Sequence, residues 1–140
     1  MALSMSISQL HDFLNAEFPQ VADVVSVDAL SKEEITVRWR VEAANLRPGG
    51  TVSGPTIFSC ADVAIYLAIL ARVGPKALAV TTNASIDFMR KPSAGADLIA
   101  RARILKLGRV LAVADALIYS DGSDQPVARA SMTYSLPPDG

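Results

Sequence analysis

Between residues 57 and 73 the chain carries only two charged side chains, Asp62 and Arg72. A helix that is apolar on every side is normally buried. The flanks punctuate it as one helix. Pro55 suits a first helical position, where its missing N–H costs nothing. Ser53 or Gly54 is placed to cap it, and Gly74-Pro75 to stop it. The predicted helix, residues 55–73, would span roughly 27 Å. In a chain of 140 residues, the size of one domain, that is a long core helix. Everything else must wrap around it.

Asp62 is the anomaly in this stretch. It stands two turns in, too far from the helix start to cap it. Its helical neighbours are Phe58, Ile65, Tyr66 and Ile69. A carboxylate among them is costly unless it has a partner. Three readings follow: a structural carboxylate bonded to a strand or a dimer contact, a helix turned so that Asp62 meets water, or a catalytic or ligand-binding carboxylate.

The remaining periodicities supply the wrapping. Residues 1–4 are expected to be loose. Residues 6–16 place Ile7, Leu10, Phe13 and Leu14 at helical spacing, with Ser6 and Gln9 as a capping box. His11 lies inside it, where a surface or packing role is expected. A valine-rich strand is predicted over 21–30. Ile35, Val37, Trp39 and Val41 then alternate with polar residues, the clearest period of two in the chain. A loop follows over 43–52. Four further strands are predicted over 78–88, 97–106, 110–120 and 127–136. In the first, Val80, Thr82, Ala84, Ile86 and Phe88 should share one face, and Thr81, Asn83, Ser85 and Asp87 the other. Residues 110–120 are almost all apolar and read as a central strand covered on both sides. The fold class is therefore α+β: one antiparallel sheet curled around a central helix, in a single domain over 1–140 whose first 20 residues form an N-terminal extension. Such a sheet leaves an outer face and edges to manage, so oligomerisation is expected.

Several chemistries are excluded. With His11 the one histidine, a serine or cysteine triad lacks its base. No nucleophile elbow, dinucleotide fingerprint, phosphate loop or paired-cysteine metal motif is present. Neither a metal nor a resident cofactor is expected. Cys60 is alone, so no internal disulfide can form. A net charge of -1 gives no reason to expect a nucleic-acid partner. The first residues lack the basic and apolar runs of a secretory signal, and the stretch 57–70, interrupted by Asp62, is too short to read with confidence as a membrane span. A soluble cytoplasmic protein is expected.

What remains is the helix start at Gly54 and the carboxylate of Asp62. Helix starts offer unpaired N–H groups that can hold a developing oxyanion. The two lie about 12 Å apart along the helix axis, too far for one carbonyl to meet both within one subunit. Two subunits packed head to tail could unite them.

Read together, several runs resemble the hot-dog thioesterases of the phenylacetate-pathway type. They are Pro48-Gly49-Gly50-Thr51-Val52-Ser53-Gly54, Ala61-Asp62-Val63-Ala64, Ala79-Val80-Thr81-Thr82-Asn83, Asp87-Phe88-Met89-Arg90, Ala100-Arg101-Ala102-Arg103, Leu107-Gly108-Arg109 and Val127-Ala128-Arg129-Ala130. The resemblance covers residues 21–136. It implies the hot-dog fold, subunits paired edge to edge as dimers or dimers of dimers, and hydrolysis of acyl- or aryl-CoA thioesters. It assigns Gly54 as the backbone donor to the thioester carbonyl, Asp62 as the catalytic base or nucleophile from the opposite subunit, and Thr81 as a hydroxyl that helps place water. Ser53-Gly54-Pro55 stands where the family commonly has His-Gly-Gly. Arg47 stands where some relatives carry asparagine. Phe58, with Ile57 and Tyr66, suits an acyl pocket, and Arg90, Lys91 and Arg109 are turn cations that could meet CoA phosphates. The alternative is a non-catalytic hot-dog module that binds an acyl-CoA-like ligand or serves assembly.

Overall fold

The computed structural model describes residues 3–138; Met1, Ala2 and the last two positions of the expected domain lie outside them. The order is α1 (Ile7–Glu17), α2 (Pro19–Ala22), β1 (Val25–Leu30), β2 (Ile35–Trp39), a 3-10 turn (Ala43–Asn45), α3 (Gly54–Val73), β3 (Val80–Phe88), β4 (Leu98–Leu107), β5 (Leu111–Ser120) and β6 (Ala128–Ser135). The strands form one antiparallel sheet in the order β1-β2-β4-β5-β6-β3. It wraps α3 as expected.

The whole of α3, 20 residues, is long and apolar enough to cross a bilayer, whereas the 57–70 stretch read from the sequence is shorter. Here α3 is the core helix, with residues from Ile57 to Ala71 buried on nearly every side. Ser53 is the N-cap, accepting from the Thr56 N–H at 3.3 Å. At the other end Ser4 donates its N–H to the Ala71 carbonyl at 2.6 Å and its hydroxyl to the Arg72 carbonyl at 2.7 Å. These are carbonyls a helix end would otherwise leave unpaired. Ser4 is therefore tied down rather than loose, whereas Met1 and Ala2 are not among the described residues.

An alanine floor lets the helix approach the sheet. Ala100, Ala102, Ala112, Ala114, Ala116, Ala128 and Ala130 all face it and are at most 1% exposed. The Ser6–Gln9 capping box forms. The predicted strand over 21–30 begins late, because Pro19 opens a helical turn that takes up Val21 and Ala22.

Two other expectations are corrected. The outer face of β5 is not covered: Leu111 is 48% and Leu117 37% exposed, because one helix can cover only one face of a sheet. The face assignment in β3 changes at Thr82. Thr81 pairs with Tyr134 and Asn83 with Thr133, so Thr82 is an extra residue, a bulge. Thr81 therefore shares the inner face with Ala84, Ile86 and Phe88 instead of opposing them.

The two sheet edges differ. Along β1 a register shift follows Val27, and His11 Nε2 accepts the Val27 N–H at 2.9 Å. That edge is blunted by a bulge and a covering helix. Among the described residues β3 has neither helix nor lysine along its edge, and its Val80 and Phe88 are 56% and 54% exposed.

The alanine floor yields a stability prediction. Ala114→Leu adds three carbon atoms at a fully buried position facing α3. Overpacking of this kind costs about 1–3 kcal/mol, so the urea midpoint should fall; an unchanged midpoint would show that the helix is not held close by small residues.

Candidate active site

Asp62 is half-buried on the inner side of α3. Its Oδ1 accepts two hydroxyl hydrogen bonds, each 2.6 Å long: one from Thr81 Oγ1 and one from the Tyr134 hydroxyl. The Tyr134 oxygen also lies 3.0 Å from the Asp62 main-chain carbonyl. Thr81 and Tyr134 are register partners on adjacent strands. The Thr82 bulge brings Thr81 to the face where it can reach the helix. Neither hydroxyl engages Oδ2, and among the described residues no arginine pairs with this carboxylate.

Tyr134 is only 3% exposed. Burial, and next the charge of Asp62, hold its phenol well above the usual tyrosine value of 10.0, so it remains a protonated donor. Burial likewise raises Tyr66, and its hydroxyl donates to the Ala77 carbonyl at 2.9 Å. Asp62, Tyr134, Thr81 and Tyr66 line a cleft of about 490 Å³, closed further by Phe18 and Val63 and rimmed by Glu17 and Gln20.

A second cleft, about 550 Å³, opens at the start of α3 and is lined by Gly54, Ile57, Arg47, Phe88, Arg90 and Lys91 among others. The Gly54 N–H has no acceptor among the described residues. Pro55 has no N–H to offer, and the next two donors, Thr56 and Ile57, are both taken by Ser53. One free backbone donor thus stands at the cleft. A Cβ on Gly54 would come no closer than 3.6 Å to Phe88. The chain's own packing therefore does not require glycine there.

The other singled-out residues fall out as follows. The Ser53 hydroxyl is spent on the cap and on Thr56 Oγ1, 2.8 Å away. Phe58, half-buried one turn before Asp62, packs on the core and lines neither cleft. Arg90 donates to the Pro126 carbonyl at 2.8 Å, which fixes it at the rim of the Gly54 cleft. Arg109 is exposed in the β4–β5 turn, at the sheet end where Leu111, Ser135 and Val80 align. Arg90 and Lys91 follow Phe88 at the opposite end, roughly 25 Å away along β3. One chain does not bring the three cations together. Cys60 is fully buried, and burial pushes its thiol up to about 12, which suits a small core hydrophobe. Among the described residues no group of histidine, cysteine and carboxylate side chains could hold a metal.

Tyr134 is the site residue that sequence reasoning missed. Its signal was present as the inward parity of Ala128, Ala130, Met132 and Tyr134, the one hydroxyl at the end of an apolar row.

A curled antiparallel sheet around one helix, with an acid in that helix and a free N–H at its start, defines a hot-dog fold protein. The chain belongs to the thioesterase superfamily, whose family model matches residues 49–127. It is similar to the crystal structure of a "putative thioesterase" from Silicibacter sp. TM1040, with 56% identity, 99% of this chain and 96% of that one covered, and a TM-score of 0.92. It is also similar to the phenylacetic acid degradation protein PaaI of Thermus thermophilus in a mutant form, at 29% identity, 89% and 97% coverage and a TM-score of 0.69. In sequence it is 29% identical to the Pseudomonas aeruginosa protein named "Putative esterase PA0474" over 107 residues, 76% of this chain and 78% of that protein.

Tyr134 also has a consequence for pH. A phenol whose folded value lies above its unfolded value of 10.0 binds its proton more tightly when folded. The stability it contributes is intact below pH 10 and is lost as pH rises further. The urea midpoint of the wild type should fall steeply above pH 10, and Tyr134→Phe should show a shallower fall. Equal slopes would remove Tyr134 from that linkage.

Proposed function

We propose that the protein is an acyl-CoA thioesterase, hydrolysing an acyl- or aryl-CoA thioester to the free acid and CoA at a site shared by two subunits. The observation that carries this reading is the Asp62 carboxylate, held by two hydroxyls at the wall of a cleft and bound by no arginine among the described residues. Such a carboxylate can accept a proton from water or attack a carbonyl itself. As a base, Asp62 takes a proton from water while the water oxygen attacks the thioester carbon. The C–S bond then breaks and the sulfur leaves as thiolate. As a nucleophile, its oxygen forms a mixed anhydride on loss of the thiolate, and water then hydrolyses the anhydride. In both cases the carbonyl oxygen becomes negative and needs a donor, which the Gly54 N–H supplies.

The open β3 edge supports the two-subunit arrangement. Let two copies of β3 pair antiparallel, centred on Ser85, with Thr82 left out of the count as the bulge. Thr81 of one copy then lies opposite Phe88 of the second, one strand spacing of about 4.8 Å away. Phe88 is the residue that borders Gly54. The same pairing sets the Asp62 cleft of one copy beside the Gly54 cleft of the other. It also brings the Arg109 end of one sheet to the Arg90 and Lys91 end of its partner. The exposed Val80 and Phe88 side chains lose water contact in the same step.

Substrate chemistry is read from the walls. Phe18, Tyr66 and Tyr134 present aromatic surface beside Asp62, which suits an aryl or compact apolar acyl group. Glu17 at the rim disfavours an acyl chain that ends in a carboxylate. Arg47, Arg90 and Lys91 give the other cleft its cations, suited to phosphate.

The deciding experiment is a screen of acyl-CoAs with free-thiol detection, comparing wild type with Asp62→Asn after light scattering has shown matched dimers or larger oligomers. Asp62→Asn keeps the shape and should lose at least about 100-fold in kcat, the scale of general acid–base catalysis. Near-normal kcat would end the Asp62 mechanism. A wild type that turns over no acyl-CoA would leave a non-catalytic acyl-CoA-binding module, and a monomer would end the shared site.

Binding of CoA itself gives a second measurement. Affinity by calorimetry should weaken as salt rises, and Lys91→Ala or Arg109→Ala should weaken it about two- to fivefold at low salt, the scale of an exposed charge contact. Unchanged affinity in both variants would place the phosphates elsewhere.

A further inference from the structure

We infer that Tyr134 is a positioning residue for hydrolysis: with Thr81 it clamps Oδ1 of Asp62, so that Oδ2 is the oxygen presented to water or to the thioester. The inference rests on the thioesterase reading above and assigns a role to a side chain outside the Gly54, Asp62 and Thr81 set.

Four observations carry it. The two hydroxyls reach the same oxygen at the same distance, 2.6 Å, from paired positions on neighbouring strands. Two fixed donors on one carboxylate oxygen define the plane of the group and stop its rotation, which one donor cannot do. The second Tyr134 contact, 3.0 Å to the Asp62 main-chain carbonyl, registers the phenol against the helix backbone as well as the side chain. The ring is locked from the other side by Tyr66, its centroid 6.2 Å away, and Tyr66 is itself pinned by its bond to Ala77. Finally, the β3 bulge that turns Thr81 inward is what makes a two-hydroxyl clamp possible.

A clamp has a different kinetic signature from a pocket wall. A wall contributes to substrate binding and shows in KM. A clamp acts on the geometry of attack and shows in kcat, since small misplacement of a reacting group is costly. The phenol remains a donor because burial raises its ionisation above the ordinary tyrosine range.

The test is Tyr134→Phe, which removes one oxygen and keeps the ring. With the best substrate from the acyl-CoA screen, kcat should fall about 10- to 100-fold, the range of a lost positioning contact, while KM stays within about twofold. In the Asp62→Asn background the same change should cost less than about twofold, because the oxygen it positions no longer does chemistry. A kcat within about threefold of wild type, a rise in KM alone, or full additivity with Asp62→Asn would each overturn the inference. If Tyr134→Phe fails to fold, the clamp is read instead from the 13Cζ resonance of Tyr134 in folded Asp62→Asn. That signal should move from its wild-type position as the charged acceptor is lost, and a resonance that stays put overturns the clamp. The two readings separate cleanly. A wild type with no turnover defeats the thioesterase reading and this inference with it, whereas an active wild type with an unaffected Tyr134→Phe defeats this inference alone.

Discussion

A helix with no polar face can be kept from water only by something that goes most of the way round it. In this chain that constraint fixes the architecture. α3 needs a floor, and six strands curl to supply one, with alanines wherever strand and helix come closest. α1 and α2 close part of what the sheet leaves open, and Ser4 ties the segment ahead of α1 to the carbonyls at the helix end. The core is a contact between one long apolar rod and small side chains, so it is close-packed and intolerant of added volume.

The same constraint explains why the sheet's two edges are unlike. The N-terminal helices that help enclose α3 also lie over β1, where His11 takes up a strand N–H and a bulge ends regular pairing. Among the described residues no element does this for β3. Its inner face overhangs the helix, so Ala84 and Phe88, which face inward, remain exposed. An edge of nine residues with free backbone groups on one side and uncovered apolar side chains on one face is a template for a further strand. A second copy of β3 has the right length and the right face.

Much of this was legible in the residues because each element announced itself by period and punctuation. Ser53, Pro55 and Gly74 bounded α3 to within a residue, and the alternation Ile35, Val37, Trp39 gave a buried strand face as read. Asp62 stood out because charge is expensive on an apolar helix. What the chain hid was set by pairing rather than by local pattern. Nothing in Val80-Thr81-Thr82-Asn83 says that Thr82 is the extra residue, since the bulge exists only relative to β6. Without it Thr81 faced away from Asp62. Tyr134 was placed on the inner face, yet its bond to a helix residue 72 positions earlier is a tertiary fact with no sequence period. Val21 failed for a local reason: valine favours strands, but Pro19 had already fixed the first turn of a helix.

The way the chain partners its aspartates separates Asp62 from five others. Asp28, Asp97 and Asp121 converge on Arg38, Asp115 meets Arg103, and Asp87 meets Arg129. Each of those is a cation–carboxylate pair on the sheet's outer side or at its turns, where the charge serves to hold strands and loops together. An arginine against Asp62 would satisfy its burial equally well, but it would also cover both oxygens and neutralise the charge that the proposed hydrolysis needs. Two neutral hydroxyls do less. They compensate part of the desolvation through one oxygen and leave the net negative charge in place. The five arginine-paired aspartates fasten strands and loops, whereas Asp62 is held by neutral hydroxyls through one oxygen alone.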